Sequence, residues 1–146
     1  MKKVLFIFLF FSGKLFAQTA DSVTSIKGSE PVLTKAEKIA VFSGGVNAWK
    51  AYLDKNLDTT LAAKYLKPGK RQEVKQIAAV QFVVDKEGNV SDVKVINKHI
   101  HPKLAEEAIR LIKESPQWVP AEQNGKKVSY QVVQYITFGV SKKRNL

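Results

Sequence analysis

The sequence predicts an α+β fold: a small three-stranded antiparallel sheet with two helices packed on one face. Three observations carry that prediction. The hydrophobic period changes from helical to alternating at Val74. Two tight-turn signals, Asp85-Lys86-Glu87-Gly88-Asn89 and Asn124-Gly125, each lie next to an alternating segment. A helical stripe beginning after Pro102 is then cut off by Pro116.

The chain opens with MKKVLFIFLFFSGKLFAQ. Lys2 and Lys3 form a basic start, Val4 to Phe11 an unbroken apolar run, and Leu15-Phe16-Ala17 a cleavage-type ending before Gln18. That layout is a secretory signal peptide over residues 1–17. A spanning helix needs about 20 apolar residues, and Lys14 interrupts this run. The mature chain is therefore expected to have no transmembrane span, with an inner-membrane anchor as the rival arrangement. The chain has no Cys, which excludes a disulfide framework and a lipid-modified cysteine. Export without disulfides fits a bacterial periplasm.

Residues 18–41 are polar, contain Gly28 and Pro31, and show no period, so they are expected to form a flexible leader, with a short element near Ala36 to Val41. Gly44-Gly45 breaks the chain, and Asn47 is the expected cap of a helix carrying Ala48, Trp49, Tyr52, Leu53 and Leu57 at helical spacing. A weaker helical pattern runs through Leu61, Ala62, Tyr65 and Leu66 to Pro68-Gly69. The first long strand places Val80, Phe82 and Val84 on one face and Ile77, Ala79 and Val83 on the other. Val90 to Ile96 returns as its hairpin partner. The next helix buries Leu104, Ala105, Ala108, Ile109, Leu111 and Ile112 and is expected to turn Glu106, Glu107, Arg110 and Lys113 to water. In SPQWVPAEQNGKKV, two prolines hold Trp118 extended, so that it plugs the core while the chain turns back into a last strand, Lys127 to Phe138. The domain is expected over residues 42–140, with a polar tail at 141–146. Trp49, Phe82, Leu104, Ala108, Trp118, Ile136 and Phe138 are its expected core.

No motif reaches the standard of an active site. His99 and His101 have a zinc-compatible spacing but no third ligand in sequence context. Asp85, Glu87 and Asp92 read as turn formers, Ser115 lacks a nucleophile elbow, and Gly44-Gly45 lacks a phosphate-loop frame. No catalytic, cofactor or metal site is assigned, and no enzymatic activity is expected. Taking Lys2, Lys3 and Lys14 from the 24 basic residues leaves 21 against 13 acidic ones, a net charge of +8. The lysines are scattered, which describes a soluble basic surface better than a nucleic-acid site; no nucleic-acid partner is expected. An exposed edge of the last strand would instead offer unpaired N–H and C=O groups to an extended peptide.

The runs FSGGVNAWKAYLDKNL, VQFVVDKEGNVSDVKV and LAEEAIRLIKESPQWVPAEQNGKKV, with the closing YITF, together resemble the TonB C-terminal domain family over about residues 42 to 138. The resemblance implies a periplasmic α+β domain whose last strand grips the short box peptide of a TonB-dependent outer-membrane receptor, with no cofactor. On this chain that stretch matches Lys127 to Phe138. The candidate contacts are Val128, Tyr130, Gln131, Val132, Val133, Gln134 and Tyr135, chiefly through their backbones. A protein or peptide partner is therefore expected, with a homodimer through the same edge as an alternative pairing. Two departures speak against a force-transducing member. The chain has no Pro-rich spacer or long membrane helix, and the family pattern would place a Pro near Thr60 and a Gly near Ala78. The remaining readings are a membrane-anchored energy transducer and a basic envelope protein binding peptidoglycan or anionic lipid.

Overall fold

The structure, a computed structural model, describes residues 30–68 and 73–141. The expected signal peptide, the first part of the leader, residues 69–72 of the charged link and tail residues 142–146 lie outside these residues. In chain order the elements are β1 (Val41–Phe42), α1 (Gly45–Asn56), α2 (Thr59–Tyr65), β2 (Glu73–Val84) and β3 (Val90–Val95). They continue with α3 (Pro102–Lys113), β4 (Trp118–Val119), β5 (Ala121–Gln123), β6 (Lys126–Val128) and β7 (Tyr130–Ser141).

Alternation of apolar residues dictates the main sheet. Ala78, Val80, Phe82 and Val84 of β2 and Val132, Ile136 and Phe138 of β7 are all buried on one face. The strand order is β3-β2-β7 and all pairing is antiparallel. β2 and β7 pair without a register shift from Glu73↔Ser141 to Val84↔Tyr130. α3 covers β2 and β3, and α2 covers β7, so the α+β architecture with helices on one face is present. The weaker helical pattern forms α2, begun by Asp58, whose carboxylate accepts from the Thr60 N–H at 2.9 Å. α1 stands beside this pair, joined through the Tyr52 hydroxyl, which donates to the Leu111 carbonyl at 2.9 Å.

Two local expectations are corrected. α1 begins at Gly45 after Gly44, whose φ of 85° lets the chain turn into the helix without a side-chain cap, so Asn47 lies inside the first turn. Glu107 does not face water; only 7% of it is exposed. The loop between α1 and α2 folds over it. Its carboxylate accepts from the Asp58 N–H at 3.0 Å and from Arg110 Nε and Nη2 at 2.8 Å each. Arg110 Nη2 also donates to the Asn56 carbonyl at 2.8 Å. A buried charge is tolerated here because each of its carboxylate oxygens has a donor.

Trp118 is the plug the two prolines suggest, with 4% exposure. Its ring lies 5.0 Å from Phe82, 5.4 Å from Phe42 and 5.8 Å from Trp49, centroid to centroid. Its indole N–H donates to Ser115 Oγ at 3.0 Å and its backbone N–H to the Gly88 carbonyl at 2.9 Å. Gly88 takes φ +88°, and a Cβ there would sit 2.0 Å from the Trp118 carbonyl oxygen, so no side chain fits.

Residues assigned to the leader also take part in the pairing. Lys38↔Glu122, Val41↔Val119 and Phe42↔Trp118 follow one antiparallel register, interrupted where Ala40 faces Pro120, which has no N–H to give. Leu33 forms a parallel bridge with Tyr130.

The Arg110 bonds hold the Glu107 carboxyl below its ordinary value of 4.5; burial opposes this and the Asp58 N–H assists it. A depressed folded-state pKa contributes stability above the unfolded value, lost as pH falls through the folded one. Glu107→Gln is therefore expected to cost about 2 kcal/mol near neutral pH, with the deficit shrinking below pH 4.5. Urea denaturation of both proteins across pH 3 to 7 (roughly the window of this linkage) measures it.

Candidate functional site

The two edges of the main sheet are built differently. β3 has six residues, and its pairing with β2 shifts register between Gln81 and Val83. Asp92 stands in that irregular stretch with φ 52°. Beyond the end of β3 the Asn97 side chain replaces a strand: Nδ2 donates to the Ile77 carbonyl and Oδ1 accepts from the Ala79 N–H, both at 2.8 Å. Irregularity, a charge and a side-chain cap are the usual means of closing an edge to further pairing.

β7 carries none of these. From Val128 to Ser141 the sequence VSYQVVQYITFGVS contains no charged residue, in a chain of which 25% is charged. Backbone parity follows from a rung that the described residues place on its outer edge. The Leu33 N–H donates to the Ser129 carbonyl, and the Gln131 N–H donates to the Leu33 carbonyl, each at 2.9 Å. Odd-numbered residues of β7 therefore direct their backbone groups outward, and even-numbered ones direct theirs into β2. The core-facing side chains of Val132, Ile136 and Phe138 agree with this alternation.

The structure accordingly separates the seven candidates. Gln131, Val133 and Tyr135 lie on the outer edge by their backbones, and the latter two are exposed at 36% and 65%. Tyr130, Val132 and Gln134 spend their backbone groups on Val84, Phe82 and Val80 of β2. Val128 belongs to the separate β5-β6 hairpin, opposite Ala121. Two residues outside the candidate set, Thr137 and Gly139, share the outward parity. Parity was the signal that would have found them, once the side on which β2 pairs was known. Past Gln131, no described residue pairs with this edge.

Asp85 and His101 make local structural bonds. Asp85 accepts from the backbone N–H groups of Glu87 and Asn89 at 2.9 and 2.8 Å and from Asn89 Nδ2 at 3.0 Å. Burial pushes its carboxyl up, but these bonds prevail and hold it below the ordinary range. His101 caps α3, its Nδ1 accepting from the Lys103 N–H at 3.2 Å, and its ring stacks on Tyr65 at 4.4 Å. Among the described residues no three His, Asp or Glu side chains gather as a metal site. An open groove of about 810 Å³ on the sheet's outer side is bordered by Val32, Thr34, Gln81, Val83 and Gln131. Its ionisable lining residues are Asp92, Lys94 and Lys113, with no acid–base pair of carboxylates. No helix among the described residues is long and apolar enough to cross a membrane.

The model of the Gram-negative bacterial TonB protein C-terminal family matches residues 65–140, from the end of α2 through β7. The chain belongs to the TonB C-terminal family. Neither a curated protein nor a solved structure matches it. TonB C-terminal domains are periplasmic domains of Gram-negative bacteria, linked to transport and to protein interaction and not known as enzymes. Residues 30–64, including Leu33 and α1, lie outside the family match.

The parity of β7 gives a stability test. Proline at an outward position deletes an N–H that β2 does not use, whereas proline one residue away deletes a ladder bond. Tyr135→Pro is expected to cost about 1 kcal/mol and Gln134→Pro about 3 kcal/mol or more. Thermal unfolding by circular dichroism distinguishes the two.

Proposed function

We propose that this protein is a periplasmic binding module that takes an extended peptide as an added strand on the outer edge of β7, past the Leu33 rung. The peptide class that fits is the box segment of a TonB-dependent outer-membrane receptor, or a segment with the same extended backbone. In this reading the apolar run Val4 to Phe11 serves export, and the mature domain works without a membrane span of its own.

The observation that carries the proposal is the contrast between the edges. A long regular edge without a lysine, proline or bulge is a liability unless pairing is its purpose. Here the other edge of the same sheet is closed, and the surplus of lysines stops short of β7. The outward run from Val133 to Gly139 spans seven residues, about 24 Å at strand rise, and repeats N–H and C=O groups at Val133, Tyr135, Thr137 and Gly139. Each bond made there contributes about 1 kcal/mol net, offset by ordering of the peptide. Main-chain bonding of this kind gives affinity with modest sequence demand, and the exposed side chains of Val133 and Tyr135 add an apolar neighbour for the peptide's alternate residues.

The test is an NMR titration with box peptides from the host's own outer-membrane receptors. Saturable amide shifts centred on residues 131–139 are expected, and they should be abolished by Tyr135→Pro. An absence of shifts at about 1 mM peptide, where even weak complexes of about −4 kcal/mol are half formed, would overturn the proposal.

A further inference from the structure

The strand edge proposed for binding is already partly used by the chain itself. Glu30 is held at the β2-β3 turn by an ion pair to Lys86 of 2.6 Å, both side chains being partly exposed. Three residues on, Leu33 makes both backbone bonds of a parallel rung to Ser129 and Gln131. The chain then leaves β7. Glu37 and Lys38 are next fixed on β5, through Gln123 Oε1 at 3.1 Å and the Glu122 backbone at 2.9 and 3.1 Å. The segment 30–38 is thus a strap, tied at both ends, that touches the edge for one rung and crosses away from it.

We infer that this strap is an end stop that sets the register of the partner strand, with Leu33 as the positioning residue. The inference rests on the edge-binding reading above. Its physical reason lies in the composition of β7. Pairing register is normally specified by a buried face, charges or bulges on the strand concerned. Along its free edge β7 has no charge and no shift, so backbone bonding alone would accept a peptide slipped by two residues in either direction. Occupation of the Ser129 and Gln131 groups in cis removes the rungs at one end. The first groups left to a partner are the Gln131 carbonyl and the Val133 N–H, and a strand added there meets the strap where it turns away toward β5. The acceptor site thereby has a fixed beginning. The occupant is a peptide of about seven residues (the outward run at strand rise) and not one that covers the whole of β7.

Amide hydrogen exchange on the full chain, isolated in the form its Gram-negative host makes, tests this with the same box peptides. Without peptide, the Gln131 amide is expected to exchange at least about tenfold more slowly than those of Val133, Tyr135, Thr137 and Gly139. Peptide should then protect those four and leave Gln131 unchanged. Leu33→Pro removes the donor to Ser129. It should speed Gln131 exchange, let peptide protect Gln131 as well, and tighten binding by about fivefold, the worth of one more bonded rung. Glu30→Lys loosens the strap by repulsion from Lys86 without touching the edge, and should speed Gln131 exchange about threefold even if the proline variant does not fold. Protection of Gln131 by peptide in the unaltered protein, or an unchanged protected set in both variants, would overturn the end stop while leaving edge binding in place. Failure of any peptide to protect Val133 to Gly139 would sink the edge-binding reading, and the end stop with it.

Discussion

The junction of Trp118 with Gly88 is the constraint on which the rest of the structure depends. One backbone bond joins the turn between β2 and β3 to the segment leaving α3, and the approach is so close that only glycine can occupy position 88. The indole that this bond positions fills the space between Phe42, Trp49 and Phe82. It therefore ties β1, α1, the sheet and the end of α3 to a single point. The prolines on either side of Trp118 lower the conformational freedom lost when it docks. A small domain without disulfides needs such a junction, since its core alone is modest. The consequence reaches β7 through β2: β2 is anchored at its turn, and β7 is paired to β2 along its whole length.

The polar network around Glu107 does the same for the helical layer. A carboxylate that would ordinarily sit in water is enclosed by the loop between α1 and α2, and Arg110 closes the arrangement from the same helix. Burial of a paired charge contributes little net stability relative to an apolar replacement, but its removal leaves donors unmatched. Its value is in holding α2 against α3, and α2 lies over β7. Core plug and polar latch thus both act on the sheet's covered face.

Much of this was legible in the residues. The change of period at Val74, the two turns and the alternate burial of Val80, Phe82 and Val84 are local patterns, and the strands, turns and core side chains follow them. Trp118 between prolines was equally plain. The features that escaped depend on partners distant in sequence. Glu107 reads as an exposed helix position until the loop at Asn56 to Asp58 is folded onto it. Residues 30–41 read as part of the leader because their order comes from Val119, Glu122 and Tyr130, not from any period of their own. The last strand itself follows its alternation, but its backbone parity could not be assigned without knowing which side β2 occupies. Val128 belongs to the β5-β6 hairpin, and Gly139 shares the outward parity of β7.

The most direct test of the central claim is a structure of the domain with a bound receptor box peptide. A fourth strand is expected, its backbone bonded to Val133, Tyr135 and Thr137 and its beginning set against the strap after Leu33. A peptide seated elsewhere, in the groove on the sheet's outer side or on the helices, with the β7 edge groups still facing water, would contradict it.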